Sequence, residues 1–178
     1  KFAAALEALS MDQLLRSKVR PMETGSKKHY KDHLIVIGFG VNGRNLARTA
    51  RAARVPYIII EMNPDTVARE KENGEPIFYG DASQDAILEH ADIENARVMV
   101  IAISDAAATR RIVGVARRMN PGLYIIARTR FLEEVSHLSA LGADEVIPEE
   151  FETSIEIFTR VLAKYLIPVS DIERLVND

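Results

Sequence analysis

Three glycines and one acid hold the clearest chemical signal in the chain. Gly38, Gly40 and Gly43 follow a short apolar run and fit the pattern G-x-G-x-x-G. In such a turn the first glycine permits a sharp change of direction, the second lets a pyrophosphate approach the backbone, and the third lets the next helix pack closely. That helix offers free N–H groups and its positive dipole end to an anion. Glu61 lies 18 residues beyond Gly43 and can accept hydrogen bonds from the hydroxyls of an adenosine ribose.

The surroundings of the glycines also indicate a nucleotide site. An apolar strand precedes them, a helical pattern follows, and Glu61 closes the next apolar run. A turn that has lost its ligand would keep the same glycines, so that alternative stays open. Met62 and Asn63 follow the acid, which leaves no basic residue there for a 2′-phosphate. The pattern therefore favours NAD(H) or an adenine nucleotide (AMP, ADP or ATP) over NADP(H).

Polar side chains after the later strands are further candidates. Asp81 can contact the adenine or the ribose, or it can close a turn through an Asx hydrogen bond. Ser104 and Asp105 can face the far half of a dinucleotide, or one of them caps the next helix. Arg128 and Arg130 can clasp an anionic effector or a neighbouring subunit's acids, or they can simply be solvated. The predicted cofactor site comprises Gly38, Phe39, Gly40, Val41, Asn42, Gly43, Glu61, Met62, Asp81, Ala82, Ser104 and Arg128.

Size and composition place the chain among ordinary globular domains. It has 178 residues, of which 47% are hydrophobic and 28% charged, enough for one domain with short additions. A net charge of −3 gives no overall basic field for nucleic acid. The absence of cysteine excludes disulfides and thiolate sites, and the four histidines show no metal-binding spacing. No apolar run reaches the roughly 18 residues of a membrane span, and the start at Lys1 predicts a piece of a longer protein.

Short apolar runs alternate with helical patterns from His33 onward. This alternation predicts an α/β, Rossmann-like doubly wound parallel sheet of six strands in the order 3-2-1-4-5-6, with flanking N-terminal and C-terminal helices. The predicted strands are 33–38, 56–61, 76–79, 97–103, 123–127 and 145–147. The predicted helices between and after them begin near 41, after the cap Asn63, and near 84, 105, 131 and 150. The candidate site residues then meet at the carboxyl edge of the sheet.

The predicted organisation has three parts. Residues 1–32 read as a short helix (2–15) and a basic linker (16–31), which is either a solvated tether or a segment near an anionic membrane surface. Residues 33–149 form the nucleotide domain, and 150–178 a dimerisation helix with the start of a truncated extension.

The helix predicted at 150–166 carries two adjacent apolar stripes. One can cover the sheet, and the other then needs a second subunit to cover it. The stripes are Phe151, Ile155, Phe158, Leu162 and Tyr165, and beside them Ile157, Val161 and Leu166.

Groups for catalysis on a bound nucleotide are missing from the sequence. None of the five tyrosines has a lysine four residues later, and neither a G-x-S-x-G turn nor a Walker lysine motif occurs. Binding without turnover predicts a sensor rather than an enzyme. The alternative is the cofactor half of an NAD-dependent oxidoreductase that has been separated from its substrate half.

Several segments together resemble the RCK or KTN domain, also called TrkA-N. They are 35–43, 55–61, 80–83, 91–96, 125–128 and 141–144, and the stretch 146–152 is most similar to Kef-type monovalent cation:proton antiporters. The resemblance implies a domain on the cytoplasmic side of the cell membrane that binds NAD(H), AMP, ADP or ATP. It maps the family's glycines onto Gly38, Gly40 and Gly43, its ribose acid onto Glu61, and its later acid onto Asp81.

The resemblance also implies partners. It implies a homodimer, or a higher assembly, formed through the sheet edge and the long last helix. Ligand binding would rearrange the dimer and so gate a membrane-embedded cation transporter, a Kef-type antiporter or a K+ channel. That transporter lies either in the same chain or in a separate protein, as for a soluble TrkA-type subunit of a potassium uptake system.

Overall fold

A six-stranded parallel sheet with helices on both faces forms the framework of the domain. The computed structural model describes residues 31–164, and its strand order is β3-β2-β1-β4-β5-β6, as predicted. The strands are β1 (His33–Ile37), β2 (Tyr57–Glu61), β3 (Ile77–Tyr79), β4 (Ala96–Ile101), β5 (Tyr124–Thr129) and β6 (Glu145–Pro148). The helices are α1 (Val41–Ala52), α2 (Pro64–Glu72), α3 (Asp85–His90), α4 (Ala106–Met119), α5 (Glu134–Ala140) and α6 (Glu149–Lys164), with a 3-10 turn at Ile93–Asn95. The predicted fold class is therefore confirmed.

Two predicted boundaries are wrong near the end of β5. This strand continues to Thr129, so Arg128 lies within it, because β6 pairs with it as far as Thr129 opposite Pro148. The helix predicted from 131 begins only at Glu134, because 131–133 form a turn closed by the bond from Glu134 N to Phe131 O. The predicted helix 2–15, almost all of the linker and everything after Lys164 lie outside the described residues.

Both faces of the central strands are apolar, as a buried parallel sheet requires. The helices α3, α4 and α5 cover one face, where Ile35, Met99 and Ile125 are fully buried. The helices α1 and α2 cover only the β1–β2–β3 half of the other face. The remaining half, which we call the open half-face, presents half-buried or exposed apolar residues of β4, β5 and β6: Val98, Val100, Tyr124, Ile126 and Ile147.

Side-chain caps begin two helices where the sequence predicted them. Asn63 Oδ1 accepts a hydrogen bond from Thr66 N at 2.9 Å, with Pro64 as the first helical residue of α2. Asp105 Oδ1 accepts from Ala108 N at 2.8 Å, so Asp105 rather than Ser104 caps α4. Both caps satisfy N–H groups that have no partner inside the helix.

The last helix, α6, leaves much of its apolar surface exposed. In the first predicted stripe Ile155 and Leu162 are half-buried, but Phe151 and Phe158 are 48% and 64% exposed. Ile157 and Val161 of the second stripe are exposed as well, while Tyr165 and Leu166 lie outside the described residues. The expectation that one stripe covers the sheet is met only in part, because β6 continues directly into α6 without a loop that would turn the helix back. Within 31–164, every helix falls short of the length and hydrophobicity needed to span a bilayer.

Arg117 connects α4 to two segments that follow it. Its guanidinium donates hydrogen bonds of 2.8 Å to both Pro121 O and Leu123 O, and of 2.8 and 3.0 Å to Gly142 O. It also pairs with Asp144 Oδ2 at 2.6 Å. Such a planar group with five donors can satisfy several carbonyls at once. Arg117 therefore fixes the entry to β5 and the turn before β6.

We expect Arg117→Ala to lower the free energy of unfolding by about 2–4 kcal/mol, because several charged hydrogen bonds are lost together. Urea denaturation followed by circular dichroism measures this change. Arg118→Ala is the control: Arg118 pairs with Asp85, but both side chains are more than half exposed, so its removal should change stability by less than about 1 kcal/mol. Equal losses in the two variants would contradict the role of Arg117.

His33 is a buried titratable group at the start of β1. It is 1% exposed, and its Nε2–H donates to Ala91 O at 2.9 Å. Burial lowers the pKa of His33, and this effect outweighs the hydrogen bond to Ala91 and the nearby acids Asp92 and Asp32, which raise it. The folded chain therefore resists protonation that the unfolded chain accepts at about pH 6.5.

Stability should consequently fall as the pH drops below about 6.5, where the unfolded state binds the extra proton. Between pH 6.5 and 5.5 this proton uptake lowers the free energy of unfolding by at most about 1.4 kcal/mol. We expect His33→Gln to remove that share of the pH dependence in urea titrations at the two pH values. His137→Gln, at an exposed histidine of α5, should keep the wild-type dependence. If His33→Gln keeps it too, His33 is not the titrating group.

Candidate nucleotide-binding site

The glycine turn lies between β1 and α1, and its three glycines have different local geometry. Gly38 has φ +90°, a backbone conformation that favours glycine. A Cβ on Gly43 would lie 2.0 Å from Gly38 O, so α1 packs against the turn at a distance that no side chain permits. A Cβ on Gly40 would meet nothing within 4 Å, so the space in front of it is open. The structure thus confirms the tight turn and the close helix, and it leaves room for a ligand at the middle glycine.

The start of α1 has no side chain that occupies its N–H groups. The N-cap residue is Gly40, which provides no side-chain acceptor, and the first turn of the helix contains no acid. The first helical hydrogen bond runs from Arg44 N to Gly40 O at 3.0 Å. Uncapped N–H groups at the positive end of a 12-residue helix favour a phosphate.

Glu61 is held beside this turn by two backbone N–H groups. Its Oε2 accepts from Phe39 N at 2.6 Å, and its Oε1 accepts from Asn63 N at 2.7 Å. The side chain is half-buried at the end of β2. Each carboxylate oxygen keeps a second lone pair, so the two oxygens can still accept from ribose hydroxyls. Glu61 is therefore both a structural link to the glycine turn and a preoriented acceptor.

The neighbouring predicted residues contribute in different ways. Phe39 and Ala82 are 4% and 2% exposed, so their side chains belong to the core and only their backbones can face a ligand. Val41 and Met62 are 76% and 59% exposed, which leaves apolar surface open at the mouth of the cleft for a flat base. Arg44 Nε donates to Phe39 O at 3.2 Å and so supports the same turn.

Asp81 adopts the turn role in this structure. Its Oδ1 accepts from Ser83 N at 2.9 Å and from Ser83 Oγ at 2.8 Å. The hydrogen bond from Ser83 N, followed by the one from Ser83 Oγ, lowers the pKa of the Asp81 carboxyl and favours its ionised form. Of the two alternatives that the sequence left open, the structure shows the Asx turn.

Arg128 and Ser104 lie beside a groove on the far side of the glycine turn. The groove has a volume of about 570 Å³. Polar groups of Asn42, Arg128, Glu149 and Thr153 surround a floor formed by apolar residues, namely Leu46, Val100, Ala102, Ile126 and Ile147. Arg128 forms an ion pair with Glu149, and its Nη1 lies 3.3 Å from Ser104 Oγ. Arg128 is thus paired with an acid of its own chain rather than simply solvated, whereas Arg130 is exposed.

The predicted residues therefore fall into two groups on either side of β1. Gly38 to Gly43 and Glu61 form the half next to β2, and Asn42, Ser104 and Arg128 lie around the half next to β4 and β5. Sequence reasoning missed the two N–H groups that hold Glu61, because a backbone donor leaves no residue-type signal. It also missed Glu149, because this partner of Arg128 lies 21 residues further along the chain, at the start of α6. Among residues 31–164, no group of three or more His, Asp or Glu could hold a metal ion.

Comparison with known proteins identifies the family. The family model described as TrkA-N domain matches residues 34–149. The chain belongs to the TrkA-N domain family. The crystal structure of the TrkA-N domain of inner membrane protein YbaL from Escherichia coli superposes on this TrkA-N domain with a TM-score of 0.69 and 28% identity, over 78% of this chain and 98% of that one.

Two further proteins are similar to most of this chain. The Kef CTD of Shewanella denitrificans in its AMP-bound form has a TM-score of 0.70 and 25% identity, and it covers 82% of this chain and 88% of that one. K(+) efflux antiporter 2, chloroplastic, of Arabidopsis thaliana is 27% identical over 146 residues, which are 82% of this chain and 12% of that protein. The chain spans 12% to 24% of the length of the K(+) efflux antiporters that it resembles.

The contact between Gly43 and Gly38 gives a direct test of the site. We expect Gly43→Ala to destabilise the TrkA-N domain by about 2–5 kcal/mol and to abolish nucleotide binding, because α1 must move away from the turn. Thermal unfolding and calorimetric titration with AMP measure the two effects. The control is Gly114→Ala in α4, where an added Cβ meets nothing within 4 Å.

Gly114→Ala should stabilise the fold by about 0.5–1 kcal/mol, because alanine is the better helix former, and should leave binding unchanged. Wild-type binding in Gly43→Ala would show that the close packing of α1 is not needed for the site.

Proposed function

We propose that this chain is the nucleotide-sensing regulatory domain of a potassium or other monovalent-cation transporter, a Kef-type cation:proton antiporter or a K+ channel. The observation that carries the proposal is the glycine turn with Glu61 fixed beside it by Phe39 N–H and Asn63 N–H. This arrangement places an anion site and a carboxylate acceptor next to each other, as the phosphate and ribose of one nucleotide require. The similarity to K(+) efflux antiporters supports a role in ion transport.

The proposed ligand is NAD(H) or an adenine nucleotide. No basic side chain accompanies Glu61 to pair with a 2′-phosphate, and the Glu61 carboxylate repels such a phosphate. Both effects disfavour NADP(H). The AMP-bound form of the similar Shewanella denitrificans Kef CTD supports an adenosine ligand. We propose binding and sensing rather than catalysis, because the groups that line the cleft include no recognisable acid–base pair for hydride transfer.

The proposed assembly is a homodimer formed through α6. Four large apolar side chains of α6, Phe151, Ile157, Phe158 and Val161, are between 46% and 64% exposed. Exposed apolar surface of this extent on one helix favours burial against a second copy. In the proposed arrangement residues 33–149 bind the ligand, 150–178 form the dimer contact, and 1–32 connect the domain to a transporter at the cytoplasmic side of the membrane. That transporter is either part of the same chain or a separate protein, as for a TrkA-type subunit.

The proposed mechanism is a ligand-dependent change of dimer geometry. A ligand shifts such an equilibrium only by its difference in affinity for the two geometries. A tenfold change in the ratio of the two dimer geometries requires about 1.4 kcal/mol of differential binding. Hydrogen bonds to one carboxylate supply a difference of this size.

We expect Glu61→Ala to weaken the binding of both AMP and NADH by about 1.5–3 kcal/mol, the range for hydrogen bonds to a charged group. Isothermal titration calorimetry on the domain measures the loss. In the full-length transporter, reconstituted in vesicles, the same variant should abolish the response of K+ flux to either nucleotide while ion transport itself persists.

The matched control is Glu72→Ala, which removes an exposed acid from the end of α2. It should leave both affinities and the flux response unchanged. Unaltered affinity in Glu61→Ala would show that the ribose lies elsewhere. Nucleotide-independent flux in the wild type, or hydride transfer seen by absorbance, would overturn the regulatory proposal.

A further inference from the structure

Within residues 31–164, the side-chain hydrogen bonds that link α6 to the rest of the domain come from its first residue. Pro148 ends β6 and Glu149 begins α6, so the chain supplies no loop that would fix the angle between them. Among the described side chains, the ion pair between Glu149 and Arg128 is the one hydrogen-bonded link from α6 to another element. The other described side-chain bonds of α6, from Ser154 and Arg160, stay within the helix. The direction of α6 therefore depends strongly on this pair.

Both partners of this pair also line the groove beside the glycine turn. Arg128 and Glu149 have side chains that are 20% and 34% exposed, so they are partly shielded but still accessible. Arg128 Nη1 also lies 3.4 Å from Ala102 O and 3.3 Å from Ser104 Oγ, long contacts that leave donor capacity unused. Any molecule that fills the groove meets both members of the pair.

The groove is continuous with the glycine turn through Asn42. Asn42 is the second residue of α1 and also part of the groove lining. Glu61 ends β2, on one side of β1, while Arg128 belongs to β5, on the other side. A mononucleotide whose phosphate lies at the turn and whose ribose binds Glu61 ends at β1. In a doubly wound fold a dinucleotide extends across the point between β1 and β4, which brings its second nucleoside to the side of the groove.

We propose that Arg128 is a positioning residue that holds α6 through Glu149, and that the second nucleoside of a dinucleotide competes for this ion pair and so reorients α6. The inference rests on the proposed function, and it assigns the response of α6 to dinucleotides rather than to mononucleotides. The ribose hydroxyls and the carboxamide of a nicotinamide nucleoside can donate to Glu149 and accept from Arg128. The apolar floor of Val100, Ile126 and Ile147 suits the flat ring.

The electrostatics of the pair allow this competition. The side chains of Arg128 and Glu149 are 20% and 34% exposed, so solvent reaches the pair, and a ligand that offers replacement hydrogen bonds to both groups can separate it. Linkage then gives a distinctive consequence. A ligand that must separate the pair binds more tightly when the pair has already been removed, whereas a ligand that never reaches the pair is unaffected.

The experiment measures the position of α6 and the two affinities in the same chain. The sequence has no cysteine, so Lys71→Cys on α2 and Lys164→Cys at the end of α6 can carry two spin labels. Dilution with unlabelled chain isolates the distance within one protomer, which double electron–electron resonance records with no ligand, with AMP and with NADH. We expect NADH to shift the distance and AMP to leave it unchanged.

Glu149→Ala should move α6 without ligand and should tighten NADH binding about fivefold, the lower end of typical coupling between sites, with AMP binding unchanged. Glu150→Ala is the matched control, because it removes the same charge from the next residue of α6, whose side chain is exposed. It should behave as the wild type. The charge-reversed double variant Arg128→Glu, Glu149→Arg should restore the wild-type distance, because it rebuilds the ion pair. If the single variant moved α6 only by disturbing local packing, the double variant would not restore the distance.

Two results would overturn the inference while the proposed function stands. One is a shift of α6 with AMP as large as with NADH. The other is a full NADH response that persists in Glu149→Ala, with both nucleotides still depending on Glu61. If neither nucleotide binds the wild-type chain, the proposed function and this inference fail together.

Discussion

The close approach of Gly43 to Gly38 is the constraint on which the rest of the site depends. A helix backbone rests directly on the carbonyl of the turn, at a distance that excludes even a methyl group. This contact fixes the start of α1 over the end of β1, at the point where the strand order changes direction between β1 and β4. The uncapped N–H groups of α1 therefore face the one edge of the sheet where the connections leave a crevice. A Cβ on Gly43 would meet that carbonyl directly, whereas a Cβ on Gly38 would meet the side chain of Ile103 and strain a backbone at φ +90°.

Glu61 turns this backbone contact into a defined binding geometry. A carboxylate at the end of a strand could adopt several rotamers, but bonds from Phe39 N and Asn63 N hold both of its oxygens. One donor comes from the glycine turn and the other from the start of the loop before α2. The acid thus ties two neighbouring connections together before any ligand arrives. Preorganisation of this kind reduces the entropy lost when a ligand binds to such a carboxylate.

The sequence predicted the parts of the domain that residue type controls directly. The glycine spacing, the apolar strands and the cap residues Asn63 and Asp105 each act through their own local chemistry, so the strand order and the turn could be derived before the structure. Three other features could not be predicted from the sequence: the contacts of Arg117, the anchoring of Glu61 and the pairing of Arg128 with Glu149. They depend on backbone groups or on residues more than 20 positions away. The end of β5 was misplaced for the same reason: its last residues are strand only because β6 lies beside them.

The helices of the domain are attached to the sheet unevenly. The helices α1 and α4 pack buried side chains against the sheet, and displacing either would expose core residues such as Ala47 or Val113. The helix α6 instead combines exposed apolar residues with one partly exposed ion pair. Burial of apolar area contributes a large free energy that is spread over many contacts. A single ion pair that solvent reaches contributes a smaller free energy at one place. A ligand in the adjoining cleft can supply the smaller energy but not the larger one. The proposed conformational response is therefore assigned to α6, the helix whose apolar side chains Phe151, Ile157, Phe158 and Val161 are exposed.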